Sequence, residues 1–497
     1  SWALIRPAKN RDALAFAQPR YADSIAVMPI DNFTGRPELD HLGMAITEEI
    51  ITHLAQLDRL KVISRHSVEA LAESGQPARA LADSLDVRHI VEGSFQLEEG
   101  RLRTTLQHID ASQDDHVWAD VHITDFDNVV EAQEAVARFV IERLTTALPH
   151  LGVVGPDAEG YAERGPGGEA YQLGQHWLGR RTPEGLRRAL GHFTEAVRED
   201  PEYAPAHAAL SSTLALSLVY RYQIGLDGWE AASQAVEAGR TAVDLDPGLA
   251  TGYAARGYAG AVFGAPTVEV AADFARAAEL APNAASIPSW SSRVLAMQGR
   301  FDEAMAEATR AVDLDPLAAG RHMAVAVLSL FLDDYERAVD AAHRAAELEP
   351  ELALGNATAA RAHLAAGQPG ECLGLDLGPH QVLRATCLAE VGRMEEAAGI
   401  VDSIRVAVED GTLDTSVFTE VLYLEDLAVY HAWRGEPAQA LRWLESAYEA
   451  SPTGIEIRVY ESALFEALRD RDDLANEARR LQEARWSRLT HSLVASR

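Results

Sequence analysis

The spacing of apolar positions changes its period twice along the chain. Residues 8–22 are polar and without a clear period, and they read as a linker. Residues 24–30 (SIAVMPI) form a short continuous apolar run, the pattern of a buried strand. Turn formers fill 31–37, so that stretch is a loop. Leu42, Ile46, Ile50, Ile51, Leu54 and Leu57 then recur at threes and fours, which predicts a helix. A short strand at 60–64 and helices at 68–73 and 78–85 follow. Next come strands at 88–97, 102–110 and 117–124. Leu102, Thr104, Leu106 and His108 alternate there, and turn residues stand at Glu98-Glu99-Gly100 and 112–115. A helix over 129–148 carries Val129, Ala132, Val136, Phe139, Val140 and Leu144 on one face. The order βαβααβββα predicts a compact α/β domain over 23–150. Residues 151–168 are dense in glycine and proline and read as a linker. Beyond them the sequence shows only helix patterns.

Those helices repeat. Prolines 201, 247, 282, 316, 350 and 452 each follow a helix end, at intervals of 46, 35, 34, 34 and 102, the last being three times 34. Upstream of each stands a ladder of small residues: Ala189/Ala196, Ala235/Ala242, Val270/Ala277, Ala304/Ala311, Ala338/Ala345 and Ala440/Ala447. Members of a pair are seven apart, on one helix face and two turns from each other. Small side chains there let a paired helix approach closely. The proline ends the second helix of a pair, because it cannot continue the hydrogen-bonded spiral. Gly299, Asp333, Gly367, Gly392 and Gly435 mark the turn within a pair. Between 353 and 420 the rhythm breaks, and one shortened and one lengthened hairpin are expected there. The break reads as a kink or a partner site.

Composition narrows the function classes. The chain has 497 residues, with 76 acidic against 44 basic ones and a formal charge of −32. Of the basic residues only Lys9 and Lys61 are lysine. Such an acidic chain argues against a nucleic-acid or anionic-membrane partner, because each phosphate contact needs a local cation. Two cysteines, Cys372 and Cys387, exclude a disulfide scaffold and a multi-cysteine metal cluster. Both read as buried packing thiols, Cys372 falling 34 after Ala338; whether they pair is left open. No run of 18 apolar residues is present. Ser1-Trp2-Ala3-Leu4-Ile5-Arg6-Pro7 reads either as the edge of a removed membrane segment or as a frayed terminus.

The repeat resembles the tetratricopeptide repeat, a helical hairpin of 34 residues. The copies ending at Pro316 and Pro452 match it best, and the likeness covers about 169–452, followed by a helical cap to 487. Four phrases in the first domain, at 24–33, 43–51, 60–65 and 91–94, together resemble the TolB amino-terminal-like domain. Ile109-Asp110 and His116-Val117-Trp118-Ala119 continue that likeness. The resemblance implies an α/β domain ahead of a solenoid. It also implies a membrane helix upstream and an output module that is a winged-helix regulator, a class III nucleotide cyclase or a kinase.

No phosphate loop, nucleophile elbow or zinc helix is present in the sequence. Gly165-Pro166-Gly167-Gly168 lacks the preceding strand that phosphate binding requires. His108, Asp110, Asp114, Asp115, His116 and His122 crowd one hairpin, with alternation placing His116 and His122 on one face; a solvated turn outweighs a metal site. Glu48 and Glu49 read as a solvated helix face. Arg180, Arg181, Arg187 and Arg188 form the clearest basic cluster and read as partners of acids such as Glu184. Tyr171, Trp177, Tyr220, Tyr222, Tyr253, Trp290 and His322 fall on expected first helices, the ones that line the concave side of a solenoid.

The expected architecture is therefore an arm over 1–22, an α/β domain over 23–150, a linker over 151–168 and a solenoid over 169–487. The expected function is a non-enzymatic interaction module without cofactor or metal. It takes a protein or peptide segment in its groove, does not bind nucleic acid, and touches the membrane only through a missing N-terminal anchor. A periplasmic, inner-membrane-anchored place follows from the resemblance. The alternatives are the regulatory part of a cyclase, kinase or winged-helix regulator, and an accessory subunit of a membrane complex.

Overall fold

The computed structural model describes residues 23–148 and 167–450 together with Arg480, apart from positions 56, 58–59, 73–75, 114, 127–128, 180–181, 221, 223, 227, 263–266, 350–353 and 415–420. The arm over 1–22, most of the expected linker and the expected cap beyond 450 lie outside the described residues. The chain divides into two compact units, at Glu159/Gly160. Among the described residues no helix is long and apolar enough to cross a membrane.

The first unit is a mixed sheet with helices. Its strands are β1 (Asp23–Val27), β2 (Asp31–Asn32), β3 (Leu60–Val62), β4 (His89–Glu98), β5 (Arg101–Asp110) and β6 (Asp115–Asp125). The order is β3–β1–β4–β5–β6, with β2 pairing β4. β1 runs parallel to β3 and β4, whereas β4, β5 and β6 form an antiparallel meander. The chemistry of the strands accounts for the difference. Ile25, Ala26 and Val27 are wholly buried, as a central parallel strand requires. β5 alternates between the buried Leu102, Thr104, Leu106 and His108 and more open residues between them. The helices are α1 (Asp40–Leu54), α2 (Arg65–Ala72), α3 (Ala78–Leu85) and α4 (Val129–Ala147). α1 packs on α4, and α4 lies on β5 and β6. Gly43 of α1 has no room for a side chain, because a Cβ would fall on the Ile30 carbonyl oxygen. The short strand β2 lies inside the expected loop.

The second unit consists, among the described residues, of eight helical hairpins. They are α5 (Gly168–Gly179) with α6 (Pro183–Glu199), α7 (Ala204–Val219) with α8 (Gly228–Leu245), α9 (Ala250–Val262) with α10 (Thr267–Leu280), and α11 (Ser286–Met297) with α12 (Phe301–Leu314). Next are α13 (Ala319–Phe331) with α14 (Tyr335–Leu348), α15 (Leu354–Ala365) with α16 (Pro369–Cys372), α17 (Gln381–Glu390) with α18 (Met394–Glu409), and α19 (Val421–Trp433) with α20 (Pro437–Ala450). Every member of the small-residue ladder is 3 % exposed or less. The five turn residues from Gly299 to Gly435 all have positive φ, from 57° at Asp333 to 84° at Gly392. That conformation favours glycine, which has no Cβ to clash. Thr182 caps α6 by accepting a hydrogen bond from the Gly185 amide, with Pro183 in the first turn.

The break in rhythm is a truncated helix. α16 is four residues long where the other second helices have 14 or more. Ending after one turn, it lays Cys372 against the face of α17 that carries Cys387. The two Cα atoms are 6.2 Å apart and the residues form a disulfide. The reading of two packing thiols is thus corrected: both sulfurs are buried, but they are bonded.

Candidate functional site

The seven residues expected on the inner surface have different fates. Tyr171 of α5 packs edge-on to Tyr203 at 5.2 Å and beside Phe193 at 5.8 Å, and Gln175 Nε2 donates to its hydroxyl at 2.6 Å. Trp177 lies on the same helix, half-buried, with the Arg188 guanidinium 4.3 Å from its ring centre. Tyr171 and Trp177 pack against one cluster, around Ala189 and Phe193. Tyr253 of α9 is half-buried beside Arg256, which makes a two-pronged bond to Asp273 of α10. Trp290 of α11 is 9 % exposed and stacks on the fully buried Tyr258. It therefore belongs to the core between hairpins. His322 of α13 stands 2.8 Å from the Pro316 carbonyl and donates to it through Nε2. Burial pushes its pKa down. It thus ties the turn that precedes its helix, as His207 does with Pro201 at 2.9 Å.

Tyr220 and Tyr222 do not lie on a first helix as expected. α7 ends at Val219, and the two residues begin the segment that follows it. Their rings are 5.5 Å apart. Tyr222 is buried with Leu186 and Leu216, and Leu178 and Tyr220 pack against this group. The Tyr220 hydroxyl approaches Gly320 of α13 so closely that a Cβ there would stand 3.1 Å from it. Ile224 and Leu226, which the sequence reading passed over, pack on the core of α7–α11. Their signal was present in the sequence, as strict alternation of large apolar residues at 220, 222, 224 and 226.

The histidine-rich hairpin also differs from expectation. An extra residue in β6 shifts the register between His108 and Ile109. His116 therefore pairs with Ile109 and His122 with Thr104, which places them on opposite faces. His108 points into the core, its Nε2 2.9 Å from His89 Nδ1, and His89 Nε2 is 3.0 Å from Asp23 Oδ1. The His108 Nδ1 is buried without a hydrogen-bond partner. Burial, with His89 adding to it, lowers the His108 pKa to about 4. Burial alone would raise Asp23, but bonding to His89 brings it below its ordinary value. Arg88 and Ser112 hold Asp110 at about 2 in the same way, against the opposing effect of burial. Among the described residues no group of three or more His, Cys, Asp or Glu could hold a metal ion.

Two further acid clusters are structural. Glu49 is buried and bonds His53 at 3.2 Å, which corrects the reading of a solvated face. Arg187 and Arg188 both pair with Glu184, as expected; Arg180 and Arg181 lie outside the described residues. The sequence reading missed a buried tie across the truncated hairpin. Asp426 of α19 receives Arg361 of α15 at 2.9 Å and His380 at 2.8 Å.

Paired helices with a buried small-residue ladder define a tetratricopeptide-type solenoid, a fold that serves as a protein-interaction module. No family model matches the chain. Over 191 residues it is 30% identical to a protein of Rhizobium meliloti (strain 1021) named "Putative adenylate cyclase 3", covering 38% of this chain and 32% of that protein. The match thus spans about a third of that relative's length. Among solved structures, a thermophilic tetratricopeptide-repeat protein of Thermus thermophilus is 21% identical, covering 40% of this chain and 99% of that one, with a TM-score of 0.33. Human IFIT1, solved as a dimer with m7Gppp-AAAA, is 13% identical over 65% of this chain and 78% of its own, with a TM-score of 0.40. The exclusion of nucleic acid drawn from net charge finds no support among these likenesses.

Proposed function

We propose that the chain is the non-catalytic, extracytoplasmic interaction part of a bacterial membrane-anchored protein. The solenoid takes a protein segment, and the first unit, of TolB amino-terminal-like type, packs on a second protein. The observation that carries this reading is the row of hairpins itself, with half-buried aromatics such as Trp177 and Tyr253 on first helices. The Cys372–Cys387 bridge supports an oxidising compartment, since disulfides persist outside the cytosol. The acidic surface favours a neutral or basic protein segment over nucleic acid.

Photo-crosslinkers placed at Trp177 and Tyr253, with the exposed Val268 of α10 as control, test the reading in intact cells. The expected result is one shared envelope-protein adduct from the first two positions and none from Val268. Equal adducts from all three, or none from any, would sink it.

The partial match to the Rhizobium meliloti protein supports a second reading, in which these residues regulate an attached nucleotide cyclase. The gene sequence upstream of Ser1 separates the two. A catalytic domain there favours regulation, and a bare anchor favours the interaction module.

A further inference from the structure

The sheet of the first unit ends on β6, and among the described residues no strand pairs with its far side. The opposite border, β3, has three residues, all buried, whereas β6 has eleven. One hydrogen bond shows which backbone groups of β6 point outward. The Val121 amide donates to the carboxylate of its neighbour Asp120 at 2.8 Å, and so not to β5. Alternate residues of an antiparallel strand turn their amides and carbonyls the same way. Those of Ala119, Ile123 and Asp125 therefore point outward too, and such groups need a partner or water. The two faces of β6 differ as well. Trp118 and His122 meet Phe139 of α4, with ring centres 6.4 and 4.8 Å apart, so α4 covers their face. Ala119, Val121 and Ile123 project from the other face, where Val121 and Ile123 are exposed. Val117, the extra residue at the register shift, is also exposed. Shortness, bulges and charge are the usual protections of an edge strand. Here the irregularity is confined to the first residues, and 118–125 pair regularly with β5. The charges are all acidic: Asp115, Asp120 and Asp125. Asp120 is paired with Arg143. Asp125 stands across the ladder from Arg101, and among the described residues neither it nor Asp115 makes an ion pair.

We propose that β6 is the docking edge of the first unit, where an extended segment of a partner protein adds as an antiparallel strand. The segment has apolar side chains at alternate positions, beside Ala119, Val121 and Ile123, and a lysine or arginine opposite Asp115 and Asp125. Charge decides the occupant. Complete overlap with a second copy would set Asp115 against Asp125 and Asp120 against Asp120, and like charges directly opposite destabilise a strand pair. Two chains of charge −32 also repel as wholes. A basic segment turns the same positions into pairs of opposite charge. Main-chain bonds then supply the affinity and the flanking side chains the selectivity. The proposal rests on the interaction reading above, and it names the surface of the first unit and the chemistry of the segment it accepts.

The test uses the full chain and two fluorescent synthetic peptides as long as β6, read by anisotropy at low salt. One is Lys-Thr-Val-Thr-Val-Thr-Val-Thr-Val-Thr-Lys, and its twin has glutamate at both ends. The lysine peptide is expected to bind about tenfold more tightly than its twin, and to slow amide exchange over 118–125. Asp115→Lys with Asp125→Lys is expected to reverse the preference. Val121→Pro removes an outward amide and no bond to β5, and it is expected to abolish binding of the lysine peptide. Equal binding of the two peptides, no binding of either, or binding that Val121→Pro leaves unchanged overturns the proposal. So does slowed exchange over 118–125 in the chain alone as its concentration rises, which assigns the edge to a second copy. Should Val121→Pro not fold, the charge-reversed chain decides, since Asp115 and Asp125 are exposed; an unreversed preference overturns the proposal. The peptides report on the first unit alone. Absence of adducts at Trp177 and Tyr253 would sink the reading of the solenoid and leave this result standing, and the reverse holds equally.

Discussion

At the scale of residues, burial decides the protonation of His108. Its pKa lies near 4, below the ordinary 6.5, because burial disfavours the charged ring and the neighbouring His89 adds to that effect. The neutral form is the one the fold accepts, so as pH falls below 6.5 the unfolded chain takes up a proton first. Stability is therefore full above 6.5 and declines between 6.5 and about 4, by up to about 3 kcal/mol. Urea midpoints of the first unit measured across pH 4–7 are expected to fall in that window, and His108→Gln, which removes the titrating ring and keeps a polar group beside His89, is expected to flatten the profile. A flat profile in the unaltered protein would count against this account. Glycines differ in sign by conformation. Gly435 has φ 69° with open space around it, so Gly435→Ala is expected to cost about 1 kcal/mol through backbone strain alone. Gly191 lies inside α6, also in open space, and Gly191→Ala is expected to add about 0.5–1 kcal/mol. Shifts of the same sign in thermal midpoints would refute the contrast.

At the scale of elements, α16 is the anomaly. A helix of one turn is not stable alone, since nucleation costs more than one turn of bonds returns. The bridge from Cys372 to Cys387 and the bonds of Arg361 and His380 to Asp426 hold this stretch in place instead. A bridge closing 15 residues is worth about 3 kcal/mol. Cys372→Ser, or reduction of the unaltered chain, is expected to lose about 2–4 kcal/mol and to speed amide exchange over 369–380. Unchanged unfolding with and without reductant would exclude a bridging role. The positions of the regular hairpins were legible beforehand, because a small residue every seven and a proline five further on leave few packings open. The register of β6 was not. One extra residue turns His116 to the other face, and only the pairing with β5 reveals where it is inserted.

At the scale of the whole molecule, the chain divides into two compact units, the first holding His108 and the second the Cys372–Cys387 bridge. Calorimetry is expected to resolve two transitions. One follows pH between about 4 and 6.5, and the other follows reductant. A single transition that responds to both would contradict this independence. The candidate inner surface was only partly legible. Trp177 and Tyr253 could be placed on first helices from the repeat alone, whereas Trp290 is enclosed by stacking on Tyr258, a contact between hairpins that no single repeat encodes.

By itself the sequence determined the two-part architecture, the order of elements apart from the short β2, and the ladder on which the hairpins close. Those features depend on contacts between residues near in sequence, and local periodicity records them. The tertiary structure decided the rest: the pairing of Cys372 with Cys387, the buried relay from Asp23 through His89 to His108, and the reach of Tyr220 to Gly320. Each depends on how far the chain curls or slips before two distant segments meet. That is a sum of many small packing choices, which no local pattern carries.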